Sequence, residues 1–262
     1  MKFVIIKDNL KEGLSAVERI SNGSQNLPVL RNVLIETKEG GVRLTTTNLE
    51  MAISYSVLGK TIENGRFTVP AGVLSGVINN IKSDRLNIEK SKNDKLLIKT
   101  ESYEASLNGL GADEFPLMPK IKNQEDFIEM KSEVLKESIE MVLSSSQESE
   151  LRPELNGILF NFSLDSLKMA ATDSFRLSER TLTGGNFTSN CKNSFKLIVP
   201  LAAATELSRS LKEGTAKIIY EGNQVLFKTE KMELLSRVID GNFPDYEAVI
   251  PKRFGAELTV KK

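Results

Sequence analysis

Val69–Lys82 reads VPAGVLSGVINNIK, and Val199–Lys212 reads VPLAAATELSRSLK. Both open on Val-Pro, run through a helix-length stretch of small and apolar residues, and close on lysine 130 positions apart. Other landmarks keep nearly that interval: Lys99-Thr100-Glu101 returns as Lys228-Thr229-Glu230 after 129 positions, and Phe115-Pro116 as Phe243-Pro244 after 128. Three separate landmarks at one spacing mark an internal repeat. The earlier halves match more faintly, LRNVLIE near residue 30 with LNGILFN near 155, and Thr47 with Thr172. One unit is therefore used twice, 1–120 and 126–250, joined by the polar stretch LMPKIKNQED at 117–126 with its Pro119. Residues 251–262 are left as a connector and an opening strand.

Within each unit the pattern reads helix, strands, helix, strands. Leu10, Leu14 and Val17 mark one helix face, with Asn9 and Glu12 spaced as an N-cap and its reciprocal partner. Val42-Leu44-Thr46 and Met51-Ile53-Tyr55-Val57 alternate as half-buried strands do. Pro70 suits a first helical position, followed by a stripe of Leu74, Val77, Ile78 and Ile81. Strands are expected at 85–89, 95–100 and 103–110. In the second unit Ser132 caps a helix striped by Leu135, Ile139 and Val142, strands fall near 156–163, 166–171 and 175–184, and a second helix starts at Pro200 with Leu207 and Leu211 inward. One-sided helices with alternating strands imply antiparallel sheets carrying helices on one face, an α+β fold.

Composition narrows the chemistry. The chain has no histidine and a single cysteine, Cys191, so His-based triads, His or Cys-rich zinc sites, disulfides and redox pairs cannot be assembled within it. One cysteine and no long apolar run fit a reducing, cytoplasmic setting without a membrane span. Lys and Arg number 35 against 35 acidic residues, so a nucleic-acid partner requires positive charge segregated onto one surface. Gly109-Leu110-Gly111 lacks a third glycine and a following helix, and reads as a turn. No GxxxxGK[ST] loop is present. Glu148, Glu150 and Glu154 carry no EF-hand spacing and read as a solvated acidic loop, so neither metal nor cofactor is expected.

Two segments are more specific in combination than singly: Ala171-Thr172-Asp173-Ser174-Phe175-Arg176-Leu177-Ser178, alone a turn between strands, and Asp240-Gly241-Asn242-Phe243-Pro244-Asp245-Tyr246, alone a polar turn and connector. Set beside Arg152 with Leu155-Asn156-Gly157, Val249-Ile250-Pro251, the opening Met1-Lys2-Phe3 and LPVLRN at 27–32, they resemble the bacterial DNA polymerase III β subunit, the replicative sliding clamp, in register from residue 1 to about 255.

That resemblance implies a DNA-clamp fold of three similar domains per chain, two chains closing head to tail around duplex DNA, with helices lining the hole. It implies a non-catalytic subunit of the DNA-directed DNA polymerase holoenzyme, tethering polymerase so that it rebinds before diffusing away. A sliding ring attracts phosphates without reading bases. The DNA-facing candidates are Lys11, Arg19, Asn80, Lys82, Lys136, Arg209 and Lys212, with Ser24 at a loop position basic in some relatives. The implied partners besides duplex DNA are the polymerase III alpha subunit, the clamp loader delta subunit and other proteins that bring a short peptide. Its pocket, carried over residue by residue, is Leu155, Thr172, Ser174, Phe175, Arg176, Leu177, Pro244 and Val249. Phe175 stands where relatives often have histidine and Ala248 where some have arginine, which makes this pocket more apolar. Tyr103, Ala105 and Leu107 mark the edge strand that joins chains in the full-length homodimer. Without a third domain, the family's two-chain ring is not expected to close. Two other readings are a peptide-binding interaction protein that never encircles DNA, told apart by DNA retention, and a carboxylate enzyme, told apart by metal-dependent turnover.

Overall fold

The computed structural model describes residues 1–21, 27–38, 40–91, 93–116, 119–149, 151–251, 253, 255–256 and 258–259. The first unit comprises β1 (Lys2–Ile6), α1 (Lys7–Val17), β2 (Asn32–Lys38), β3 (Gly41–Thr47), β4 (Met51–Glu63), β5 (Gly65–Pro70), α2 (Ala71–Asn80), β6 (Arg85–Lys90), β7 (Lys95–Lys99) and β8 (Glu104–Asn108). The second comprises β9 (Ile128–Lys131), α3 (Ser132–Leu143), β10 (Gly157–Ser163), β11 (Ser166–Thr172), β12 (Leu177–Thr183), β13 (Phe187–Ser189), β14 (Phe195–Pro200), α4 (Leu201–Ser210), β15 (Thr215–Glu221), β16 (Gln224–Lys228) and β17 (Met232–Arg237).

The anticipated helix faces are buried: Leu10, Leu14 and Val17 on α1, Leu74 and Ile78 on α2, Leu135, Ile139 and Val142 on α3, Leu207 on α4. Each such side chain contributes about 1.5–3 kcal/mol of burial. A strand precedes each first helix, so the repeat runs strand, helix, strands, helix, strands.

The helix starts differ from the sequence expectation. α1 follows β1 directly with Ile6 as its cap residue, α3 follows β9 with Lys131, and neither has a side-chain cap. The first-turn N–H groups instead find distant carbonyls: Lys7 donates to Asp84 O at 2.7 Å and Ser132 to Gly214 O at 2.8 Å. Asn9 is thereby released to reach Leu58 O, and Glu12 to accept from Tyr55. Pro70 and Pro200 close β5 and β14 opposite Asn32 and Gly157, the last ladder positions, just ahead of their helices.

The units share one sheet. β17 pairs antiparallel with the first half of β4, from Met232 opposite Tyr55 to Ser236 opposite Met51. This seam belongs to a 13-stranded sheet, while β12-β11-β10-β14 form a second sheet in the second unit. The linker straps the outer side: Phe115 packs with Val29 and Leu34, and Ile121 with Ile219 and Leu226. A second strap packs Phe243 and Tyr246 onto Leu159, Ala170 and Ile198. Leu117 and Met118 of the boundary stretch lie outside the described residues. Among the described residues of 251–262 none is in a strand, and the others of the anticipated opening strand fall outside the description.

The expected strand 103–110 shortens to β8, and Gly109 explains its end. A Cβ there would lie 2.1 Å from Thr68 O, because Leu110 and Thr68 bond to each other in both directions at 3.0 and 3.2 Å. Gly109 serves close backbone approach at a turn.

Candidate functional site

The first candidate surface is the helix layer. α1 packs on α2, α3 on α4, and α1 meets α4 across the unit boundary in a cleft of about 470 Å3. That cleft brings together four predicted DNA-facing cations, Lys11, Arg19, Arg209 and Lys212, from opposite ends of the sequence. They are not equivalent. Arg19 Nε donates to both Glu206 carboxylate oxygens at 3.0 Å, and Nη2 donates to Oε1 at 2.6 Å and to Ser210 Oγ at 3.3 Å. The Glu206 side chain is only 6% exposed and that of Arg19 38%. The hydrogen bond to Glu206 pushes the Arg19 pKa up further. Lys212 donates to Glu12 at 2.7 Å, and Glu12 also accepts from Tyr55 and faces Lys231 at 3.9 Å. The Lys212 hydrogen bond leads in holding the Glu12 carboxyl below its ordinary range.

Arg19 and Lys212 thus tie the two units together, and acidic partners neutralise them. Lys11, Lys82 and Arg209 are exposed and Lys136 is half-buried; among the described residues none of the four enters an ion pair. The Asn80 amide folds back to Gly76 O at 2.8 Å. Ser24 lies outside the described residues.

The second candidate surface is the turn between β11 and β12. Asp173 Oδ1 accepts the N–H groups of Phe175 and Arg176 at 2.9 and 2.7 Å, while Oδ2 accepts Arg176 Nε and Nη2 at 3.0 and 2.8 Å. Thr172 Oγ1 donates to Arg176 O at 2.7 Å and accepts from Ser174 N. Ser174 takes the left-handed φ of 75° that this tight turn demands, and Arg152 donates to its hydroxyl at 3.3 Å. The cage leaves Phe175 96% exposed. Of the other predicted pocket residues Leu155 is buried, Leu177 is half-buried against the Tyr246 cluster, and Val249 is exposed. Pro244 lies in a cleft of about 770 Å3 with Leu159, Ile198 and Tyr246; the other seven predicted pocket residues are not among that cleft's lining. Tyr246 donates to Glu179 at 2.6 Å, and burial, then this bond, pushes its pKa up.

Sequence reasoning identified the turn but missed Asp173 as its organiser. The signal was present, since Asp followed by Ser-Phe-Arg is a sequence that can form a side-chain-capped turn. The Arg176 and Phe175 N–H groups and the Arg176 guanidinium lower the Asp173 pKa to about 2. A depressed carboxyl contributes fully above its unfolded pKa, ~4, and loses that contribution as pH falls through the folded value. The turn is therefore expected to survive acidification to about pH 3 and to open near pH 2. Carboxyl chemical shifts of Asp173 followed by NMR check this; a midpoint near 4 would contradict it.

The third surface is β8, the end strand of the large sheet. Leu107 is buried and Ala105 half-buried, while Tyr103 is exposed just before the strand. Among the described residues no three Asp, Glu, Cys or His side chains converge as a metal site, Glu150 lying outside them. No described helix is long and apolar enough to cross a membrane.

Comparison with known proteins adds a family. Residues 1–119 match the DNA polymerase III beta subunit, N-terminal domain, and residues 129–245 match the central domain of the same subunit. The beta sliding clamp of Bacillus subtilis is 29% identical over 270 residues, covering 99% of this chain and 70% of that protein. A crystal structure of the sliding clamp from Bacillus subtilis superposes with a TM-score of 0.90 at 28% identity, over 97% of this chain and 68% of that one. A sliding clamp from Pseudomonas aeruginosa bound to griselimycin gives a TM-score of 0.89 at 28% identity, over 97% and 68%.

Proposed function

Because the chain belongs to the bacterial DNA polymerase III beta subunit family, the sliding clamps, we propose that it acts as a processivity factor, an arc of a ring around duplex DNA. One observation carries this reading: a single sheet crosses the unit boundary through β17 and β4 while the helices pack as one layer with basic residues at its central cleft. A continuous sheet makes a stiff wall. Cations on the helices offer phosphate attraction without base readout.

In this reading residues 1–120 and 126–250 are the N-terminal and central clamp domains, and 251–262 is a connector. Lys11, Lys82, Lys136 and Arg209 supply the available DNA contacts; Arg19 and Lys212 hold the arc together. The exposed Phe175, with Leu155, Leu177, Pro244 and Val249 behind it and Arg176 at the rim, receives the peptide of the polymerase alpha subunit, the clamp loader delta subunit or a repair protein. The griselimycin-bound relative supports a ligand site in this family. The chain is a non-catalytic, cytoplasmic partner of the polymerase, and β8 is its chain-joining edge.

Primer extension by the cognate polymerase tests the proposal. Adding the chain is expected to lengthen the product made per binding event, and the lengthening should vanish when a free clamp-binding peptide competes. Unchanged product lengths would contradict it. The second reading, a peptide-binding protein that never encircles DNA, draws on the neutralisation of Arg19 and Lys212 by Glu206 and Glu12; it predicts peptide binding with no effect on synthesis.

A further inference from the structure

The helix-side cleft between α1 and α4 holds two cation–carboxylate pairs that differ in what each carboxylate keeps if its cation leaves. The charged lining is Lys11, Arg19, Arg209 and Lys212 against Asp8 and Glu12. Arg19 bonds from two nitrogens to Glu206, whose side chain is only 6% exposed. Withdrawing Arg19 would strand a buried carboxylate, so that pair is fixed. Lys212 is 59% exposed and holds Glu12 through its ammonium alone, at 2.7 Å. Glu12 also has other support. Tyr55, buried on β4, donates to the same Oε1 at 2.9 Å, and Lys231 of the second unit faces Oε2 at 3.9 Å.

We propose that Lys212 is an exchangeable phosphate contact: it leaves Glu12 for a backbone phosphate when duplex DNA enters the cleft, while Tyr55 and Lys231 keep the Glu12 carboxylate satisfied. This step rests on the clamp reading, which puts duplex DNA against the helix layer. Lys212 is the contacting residue; Glu12, Tyr55 and Lys231 are positioning residues.

A comparison of partners makes the physical case. Parting an ion pair this exposed costs little, because water and the remaining groups take the place of the lost one. Glu12 gives up one of two hydrogen bonds, and the Tyr55 hydroxyl then has Oε1 to itself. The carboxylate stays ionised, since even its ordinary pKa lies well below neutral. Lys231 still faces Glu12 across the seam, so a tie between the units survives the exchange.

The surroundings favour it. Lys11 and Arg209 are exposed on the same cleft and enter no ion pair among the described residues, so they draw a phosphate in. Lysine suits the task, being a point charge on a flexible stem with no fixed fork to satisfy. On release, Lys212 returns to Glu12 rather than to water alone. That narrows the gap between its bound and free states, as a contact that must not favour any one position along the duplex requires.

Anisotropy of a short fluorescent duplex with the full chain, over a salt series, tests the exchange. The log of the parent's affinity should fall linearly with the log of salt concentration. Lys212→Ala should make that slope shallower by about 0.9, the share of one phosphate. Glu12→Gln removes the competing carboxylate and should tighten binding about threefold at fixed salt, the scale of one exposed pair, with the slope kept. Tyr55→Phe keeps the buried ring but leaves Glu12 less support once Lys212 departs; binding should weaken about twofold, again with the slope kept. Circular dichroism checks that each variant is folded. A Lys212→Ala slope equal to the parent's, or a Glu12→Gln variant that binds no tighter, would overturn the exchange. Equal affinity of Tyr55→Phe and parent would overturn the supporting role of Tyr55. A parent that binds no duplex at any salt would overturn the DNA reading itself, and this inference with it.

Discussion

Replacing Arg19 with alanine is expected to lower the unfolding free energy by about 2–3 kcal/mol, measured as a shift in the denaturant midpoint at unchanged slope. The reason is the charge left behind. Among the described residues, the Glu206 side chain, 6% exposed, would keep the Ser210 hydroxyl, donating to its carboxylate at 2.9 Å. An orphaned buried carboxylate costs several kcal/mol when fully enclosed, and the open rim of the cleft lets water repay part of that. The double substitution Arg19→Ala with Glu206→Leu should recover more than half of the loss, because no buried charge remains. A single-variant loss below about 0.5 kcal/mol would place this pair among ordinary surface bridges and remove it as a tie between the units.

Phe175→Asp is expected to weaken binding of a clamp-binding peptide by tenfold or more while moving stability by less than about 0.5 kcal/mol. An aromatic side chain 96% exposed gives the folded chain almost nothing. Its position is nonetheless fixed, because Asp173 accepts two main-chain N–H groups and the Arg176 guanidinium. An aromatic ring held in a preset outward position is the kind of anchor that carries binding energy. Calorimetric titration with a clamp-binding peptide provides the number. Equal affinity of variant and parent would remove Phe175 from the pocket.

These expectations come from contacts that the sequence discloses unevenly. The stripe Leu10, Leu14, Val17 and the alternation Met51-Ile53-Tyr55-Val57 are local periodicities, and the fold obeys them. The spacing of Asn9 and Glu12 is local too, yet it misleads. The N–H of Lys7 is met by Asp84 O, far along the chain, so no side-chain cap is required. The seam of β17 on β4 is not written in either strand, because Met51–Tyr55 would alternate in the same way beside any partner. Arg19 reads as a solvated cation from its neighbours in sequence; its partner stands 187 residues away. The turn at 172–177 is legible as a turn because its bonds span two to four residues. The role of its outward ring came from resemblance to a family, and the geometry supplies a physical reason for the ring to point outward.

Retention on DNA of two shapes tests the central claim most directly. The chain is incubated with nicked circular duplex and gel-filtered in moderate salt, before and after the circle is cut once. If shape holds this protein on DNA, it co-elutes with the circle and leaves when the ends are opened. Equal retention on circular and linear DNA, or none on either, would contradict the account.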